Sequence, residues 1–73
     1  MTTTGLGRVV RRLRQSQGRT VEALAHASGV HPSYVSRIER GVRNPSLTVL
    51  YGLAGALGVP LGTIMYGVEA EAQ

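Results

Sequence analysis

The sequence predicts an all-α domain of five short helices around one core, and three observations carry that expectation. Apolar residues recur three and four apart from Leu6 to Met65, and nowhere alternate as in a half-buried strand. Glycine, with a proline or hydroxyl residue close by, punctuates the chain between these apolar stripes. Seventy-three residues without cysteine, Phe or Trp can fill one aliphatic core and not a second.

Met1 to Gly5 has no periodic pattern and reads as a frayed arm. It lacks the Arg or Lys that an arm entering a minor groove would use. The first helix runs from Leu6 to Gln17, with Leu6, Val9, Val10 and Leu13 as its stripe and Gly18 as its stop. Arg8, Arg11 and Arg12 fall off that stripe into solvent, while Arg14 borders it and can turn inward.

Thr20 is placed to cap a second helix, and Glu22 follows in its first turn, where the helix dipole favours an anion. Val21, Leu24, Ala25 and Ser28 face inward, and Gly29 ends the helix in a conformation that needs positive φ. His31 is the N-cap and Pro32 the first residue of a third helix. Val30 and Val35 stand at the positions of a hydrophobic staple. Val35 and Ile38 bury a narrow stripe, leaving Pro32, Ser33, Ser36, Arg37 and Arg40 outside, and Gly41 closes the helix.

After the Asn44-Pro45 turn, Ser46 caps a fourth helix from Leu47 to Leu57, with Leu47, Leu50, Leu53, Ala54 and Leu57 inward. Gly52 and Gly55 inside it read as tolerated weak points, each costing up to ~1 kcal/mol relative to Ala. A short fifth helix spans Leu61 to Tyr66 and stops at Gly67, and Val68 to Gln73 reads as a mobile tail. The expected organisation is thus an arm at 1–5, one domain at 6–66 and a tail at 67–73.

Composition narrows the function. All positive charge is arginine, eight residues against four acids, and Glu69 and Glu71 sit at the far end of the chain. A basic body suggests a polyanionic partner. No apolar run approaches a membrane span and no signal-peptide core is present, so the expected location is the cytoplasm, with no membrane partner. His26 and His31 are five residues apart with a turn between them, which is no metal site, and no cofactor motif appears. The absence of a nucleophile–base pair, carboxylate dyad or phosphate loop argues against an enzyme. No ligand-sensing domain is expected beside this core.

The stretch from Thr20 to Gly41 has what a DNA-reading hairpin needs. Gly29 permits a steep turn, Ala25 allows close helix contact, and the third helix leaves a short or cationic outer face. Arg37 has the fork that matches guanine O6 and N7, Ser33 can bond to several base edges, and Pro32 can touch a thymine methyl. Arg40 and Arg43 flank the helix end, where phosphates would lie. The free amides around Val21 and Glu22, and the polar tips of His31 and Tyr34, can also meet phosphate.

The segments LGRVVRRLRQSQG, TVEALAHASGV, YVSRIERG, NPSL and LAGALGV, in this order and spacing, resemble the phage-repressor (Cro/XRE-type) helix-turn-helix family of bacterial transcription regulators. The resemblance covers Leu6 to Tyr66. It implies a compact five-helix fold with the helix-turn-helix in the second and third helices, and dimers on two-fold-related DNA half-sites. By position it implies base contacts from Pro32, Ser33 and Arg37, and backbone contacts from Tyr34, Arg40, Arg43 and Asn44. It also implies a structural ion pair between Arg14 and Glu39 that ties the first helix to the third. Two departures stand out. Val21 replaces the family's usual Gln, leaving that phosphate contact to backbone amides or to Arg19, and Pro32 replaces a more usual polar reader.

Leu61, Ile64, Met65, Tyr66 and Val68 exceed what a terminal helix needs to seal so small a core. With Tyr51 they form the expected dimer interface. The function expected is a dimeric, DNA-binding repressor. The alternatives are an antitoxin-type module that binds a toxin protein as well as its operator, or a restriction–modification controller.

Overall fold

A computed structural model describes residues 3–71, and it contains five helices: α1 Thr3–Ser16, α2 Val21–Ser28, α3 Pro32–Glu39, α4 Leu47–Leu57 and α5 Leu61–Glu71. Among the described residues there is no strand. α1 packs on α3 and α5, α2 on α3 and α4, and α4 on α5. The two helices of the hairpin are thus supported from different sides: α4 covers α2, whereas α1 seats α3.

The core is aliphatic. Leu6, Val9 and Val10 of α1 meet Leu24 and Ala25 of α2, Val35 and Ile38 of α3, and Leu50, Leu53, Ala54 and Leu57 of α4. Ile64 and Val68 of α5 complete it. Each of these residues belongs to a stripe three or four apart, so helical periodicity places one face of every helix inward.

Caps set the helix limits. The Thr20 hydroxyl accepts from the Ala23 amide at 3.0 Å, and the Ser46 hydroxyl accepts from the Val49 amide at 3.3 Å. At the hairpin turn Gly29 adopts φ 73°, the Val30 amide donates to the Ala25 carbonyl at 3.1 Å, and the Gly29 amide donates to the His26 carbonyl at 3.2 Å. This paired closure satisfies the last carbonyls of α2 and redirects the chain sharply into α3.

The two ends of the domain differ from expectation. Thr3 to Gly5 are part of α1 rather than an arm, while Met1 and Thr2 lie outside the described residues. The added turn lies against the loop after α3: a Cβ at Gly41 would stand 3.1 Å from the Thr4 Cα. At the other end α5 continues through Gly67 to Glu71, and Ala72 and Gln73 of the expected tail lie outside the described residues. Gly67 is no stop but a crossing point, because a Cβ there would lie 3.1 Å from both Val9 methyls. Its missing side chain lets α5 lie on α1.

Glycine also separates the two weak points expected in α4. A Cβ at Gly52 would stand 3.2 Å from the Ser28 carbonyl oxygen, so α4 meets the end of α2 there, whereas Gly55 faces open space. The tightest seat was not foreseen. A Cβ at Gly7 would lie 2.6 Å from the Glu39 carbonyl oxygen and closer still to that of Ile38. Glycine at this position allows α1 to rest directly on the last carbonyls of α3.

No single helix is long and apolar enough to cross a membrane; the apolar pair α4 and α5 is bent by 104° and faces the core.

Candidate nucleic-acid interface

The site is built on α3, whose inner side is locked before its outer side is considered. Arg14 donates from Nε to Glu39 Oε2 at 2.7 Å and from a terminal nitrogen to Glu39 Oε1 at 3.0 Å. Its remaining terminal nitrogen donates to the Arg19 carbonyl at 2.8 Å. One guanidinium thus joins α1, the α1–α2 loop and the last turn of α3. The Arg14 and Glu39 side chains are only 13% and 6% exposed, so water screens the pair little. The hydrogen bonds from Arg14 to Glu39, and then the carboxylate charge, push the Arg14 pKa above its already high ordinary value. Glu39 is a scaffold residue, as its position in the motif implies.

Other arginines are also committed within the chain. Arg19 donates to the Ala56 carbonyl, and Gln17 donates to the Leu57 carbonyl at 2.7 Å. Together they close the C-terminal end of α4, where carbonyls lack helical partners and a cation is favoured. The expected phosphate contact from Arg19 does not fit this arrangement, because its head group is directed at α4. Arg8 and Arg12, expected free in solvent, are exposed yet both converge on Glu71, at 3.6 Å and 2.8 Å. The hydrogen bond from Arg12, and then the charges of Arg12 and Arg8, lower the Glu71 pKa.

What remains is concentrated on α3 and the loop after it. Among the described residues the side chains of Arg11, Arg37 and Arg40 make no hydrogen bond or ion pair, and all three are exposed. Arg37 lies on α3 and Arg40 is its C-cap. Arg43 lies with its guanidinium 4.8 Å from the centre of the Tyr34 ring, within cation–π range. The ring holds a cation beside the start of α3 although Arg43 belongs to the following loop. Asn44 is exposed next to it.

The start of α3 carries a small network. His31 Nδ1 accepts from the Ser33 amide at 3.1 Å, which caps the helix, and it lies 2.9 Å from the Ser33 hydroxyl. Pro32 is half-buried beside them, in the first helical position. At the start of α2 the Val21 side chain packs against the core, so this residue can offer a ligand only its backbone amide.

The residues expected at a dimer interface divide in two. Ile64 and Val68 are 0% and 3% exposed and belong to the core, so they cannot form a surface. Val68 is buried because α5 extends past Gly67 and brings it onto the core. Leu61 is half-buried against the core and Met65 is half-buried. Tyr51 and Tyr66 are 60% and 76% exposed, and Leu47, expected to face inward, is 60% exposed. Among the described residues no three His, Asp or Glu side chains come together to hold a metal.

Two short helices joined by a left-handed glycine closure, with exposed cations on and just after the second, are the arrangement of a helix-turn-helix protein. A model of the helix-turn-helix family matches residues 10–64, and the chain belongs to that family, in its Cro/C1-type branch. An uncharacterised HTH-type transcriptional regulator of Sinorhizobium fredii is 50% identical over 48 residues, which are 66% of this chain and 62% of that one. The transcriptional regulator ClgR of Mycobacterium tuberculosis is 38% identical over 60 residues, 82% of this chain and 54% of that one. The chain therefore spans roughly half to three-fifths of the length of these curated relatives. Among solved structures, the clp gene regulator ClgR from Corynebacterium glutamicum superposes with a TM-score of 0.93 at 30% identity, over 100% of this chain and 95% of that one. The restriction-modification controller protein C.AhdI from Aeromonas hydrophila gives 0.84 at 39% identity, over 85% and 94%.

Proposed function

We propose that this chain is a sequence-specific double-stranded DNA-binding transcriptional regulator, a repressor that acts as a homodimer and lays α3 in the major groove of each of two half-sites. One observation carries the reading: among the described residues Arg37 on α3 and Arg40 at its C-cap stand exposed with no hydrogen bond or ion pair, while the other side of the helix is fixed by the part-buried Arg14–Glu39 pair. A free guanidinium on a rigid helix can meet guanine O6 and N7 without first breaking an internal bond. Pro32, Ser33 and Arg37 take base edges in this reading. Arg40, Arg43, Asn44, Tyr34 and His31, with the Val21 amide, take phosphates, and Arg19 does not. Selection of bound sites from a random DNA pool tests it. A two-fold-related consensus is expected, and enrichment of no sequence would overturn the reading.

Dimerisation rests on Tyr51 and Tyr66, large side chains left in water on α4 and α5, with Met65 and Leu61 half-covered beside the core. Sedimentation should report a dimer at high micromolar concentration; a monomer there, with and without DNA, would sink it. A restriction–modification controller is the favoured second reading over an antitoxin, because C.AhdI matches at 39% identity over 94% of its own length. Gene neighbourhood decides between controller and stand-alone repressor.

A further inference from the structure

The network at the start of α3 bears on which bases are read, and it rests on the DNA-reading function proposed above. A neutral imidazole has one nitrogen that donates and one that accepts. His31 Nδ1 receives the Ser33 amide hydrogen at 3.1 Å, so it is the accepting nitrogen and the ring proton is on Nε2. The Ser33 hydroxyl lies 2.9 Å from that same Nδ1. Nδ1 then carries no hydrogen and a single lone pair, so the hydroxyl can bond to it only as a donor, sharing that lone pair with the amide hydrogen in a three-centre arrangement. Ser33 has a single hydroxyl proton and two lone pairs. With the proton turned onto His31, the exposed oxygen presents lone pairs alone to whatever lies beyond the helix.

The major groove offers donors at only two places, the N6 amino group of adenine and the N4 amino group of cytosine. Guanine N7 and O6 and thymine O4 are acceptors and would face the Ser33 lone pairs unfavourably. We infer that His31 makes Ser33 an acceptor-only reader that selects an exocyclic amino group, adenine or cytosine, at its position in each half-site. Ser33 is the specificity-determining residue and His31 is a positioning residue that acts through it. A serine without this neighbour would rotate its proton to suit either kind of edge.

The test starts from the consensus selected by the native chain. The position that loses its preference in Ser33→Ala is the position Ser33 reads. There the base facing the protein should be adenine or cytosine. Replacing it by purine or 2-pyrimidinone, which lack only the amino group, should weaken native binding about tenfold and leave Ser33→Ala unaffected. His31→Gly is tolerated at an N-cap and frees the hydroxyl proton. In that variant the same position should accept guanine or thymine while preferences elsewhere in the half-site stay as they were. His31→Gly also removes the phosphate contact assigned to His31 and so weakens all sequences alike; a His31 that is only structural or only phosphate-binding would leave the relative preference at the Ser33 position unchanged. Guanine or thymine at the Ser33 position, full binding to the amino-less analogue, or an unrelaxed preference in His31→Gly each overturn the inference alone. A native chain that enriches no sequence overturns the proposed function and this inference with it.

Discussion

The two sides of α3 are made from the same residue types and put them to opposite uses. On the inner side Arg14 is locked to Glu39 and α1 rests on the helix end at Gly7. On the outer side, Arg37 and Arg40 make no hydrogen bond or ion pair among the described residues. The difference lies in partners and water rather than in chemistry. An arginine that finds a buried carboxylate stabilises the fold, whereas one kept away from every acid is available to an external anion. The proposed function needs both, because a helix discriminates between bases only if its own position is fixed.

On that division, substitutions on the inner side should cost stability and those on the outer side should cost recognition. Glu39→Ala leaves the part-buried Arg14 without its carboxylate and should lower unfolding stability by about 1.5–3 kcal/mol, read by urea or thermal denaturation. A loss near zero would mean that the inner lock is ornamental. Gly7→Ala forces a methyl into two backbone carbonyls that cannot turn aside. It should cost about 3 kcal/mol, while Gly55→Ala, in open space, should gain about 0.5–1 kcal/mol from helix propensity. Equal effects at both glycines would erase the contrast.

Arg37→Ala should leave stability within about 0.5 kcal/mol of the native chain. It should lose about 1–3 kcal/mol of discrimination at about one or two base pairs per half-site. Uniform weakening on all sequences would make Arg37 a phosphate residue. The smallest effect belongs to the exposed Arg8–Arg12–Glu71 cluster. The folded pKa of Glu71 lies below its ordinary value, so its contribution is complete above the usual carboxylate range and fades as pH falls through the lowered folded value. Glu71→Gln should flatten that acid limb of the stability profile slightly, and an identical profile would show the cluster to be inert.

Local chemistry was the legible part. The caps at Thr20, His31 and Ser46, the turn at Gly29 and the inward stripes depend on neighbours within four residues, and each stands as its residue type dictates. What escaped depends on distant backbone. Gly67 resembles a helix stop until Val9 of α1 is seen against it. Arg19 resembles a phosphate ligand until the end of α4, 37 residues away, takes its head group. Val68 looked like surplus surface because α5 was expected to end before it. The coupling of His31 to Ser33 was within reach, since a capping histidine two residues before a serine can meet both its amide and its hydroxyl.

The embrace of α1 by α5 also has a kinetic meaning. Arg12 and Glu71 are 59 residues apart, so the face of α1 that α5 covers stays bare until almost the whole domain has left the ribosome. The α2–α3 hairpin closes over a short loop and can form early, while the seal between first and last helix must close the longest loop in the domain. Loop-closure entropy therefore favours the α2–α3 hairpin over the seal between α1 and α5, which needs both ends of the domain at once.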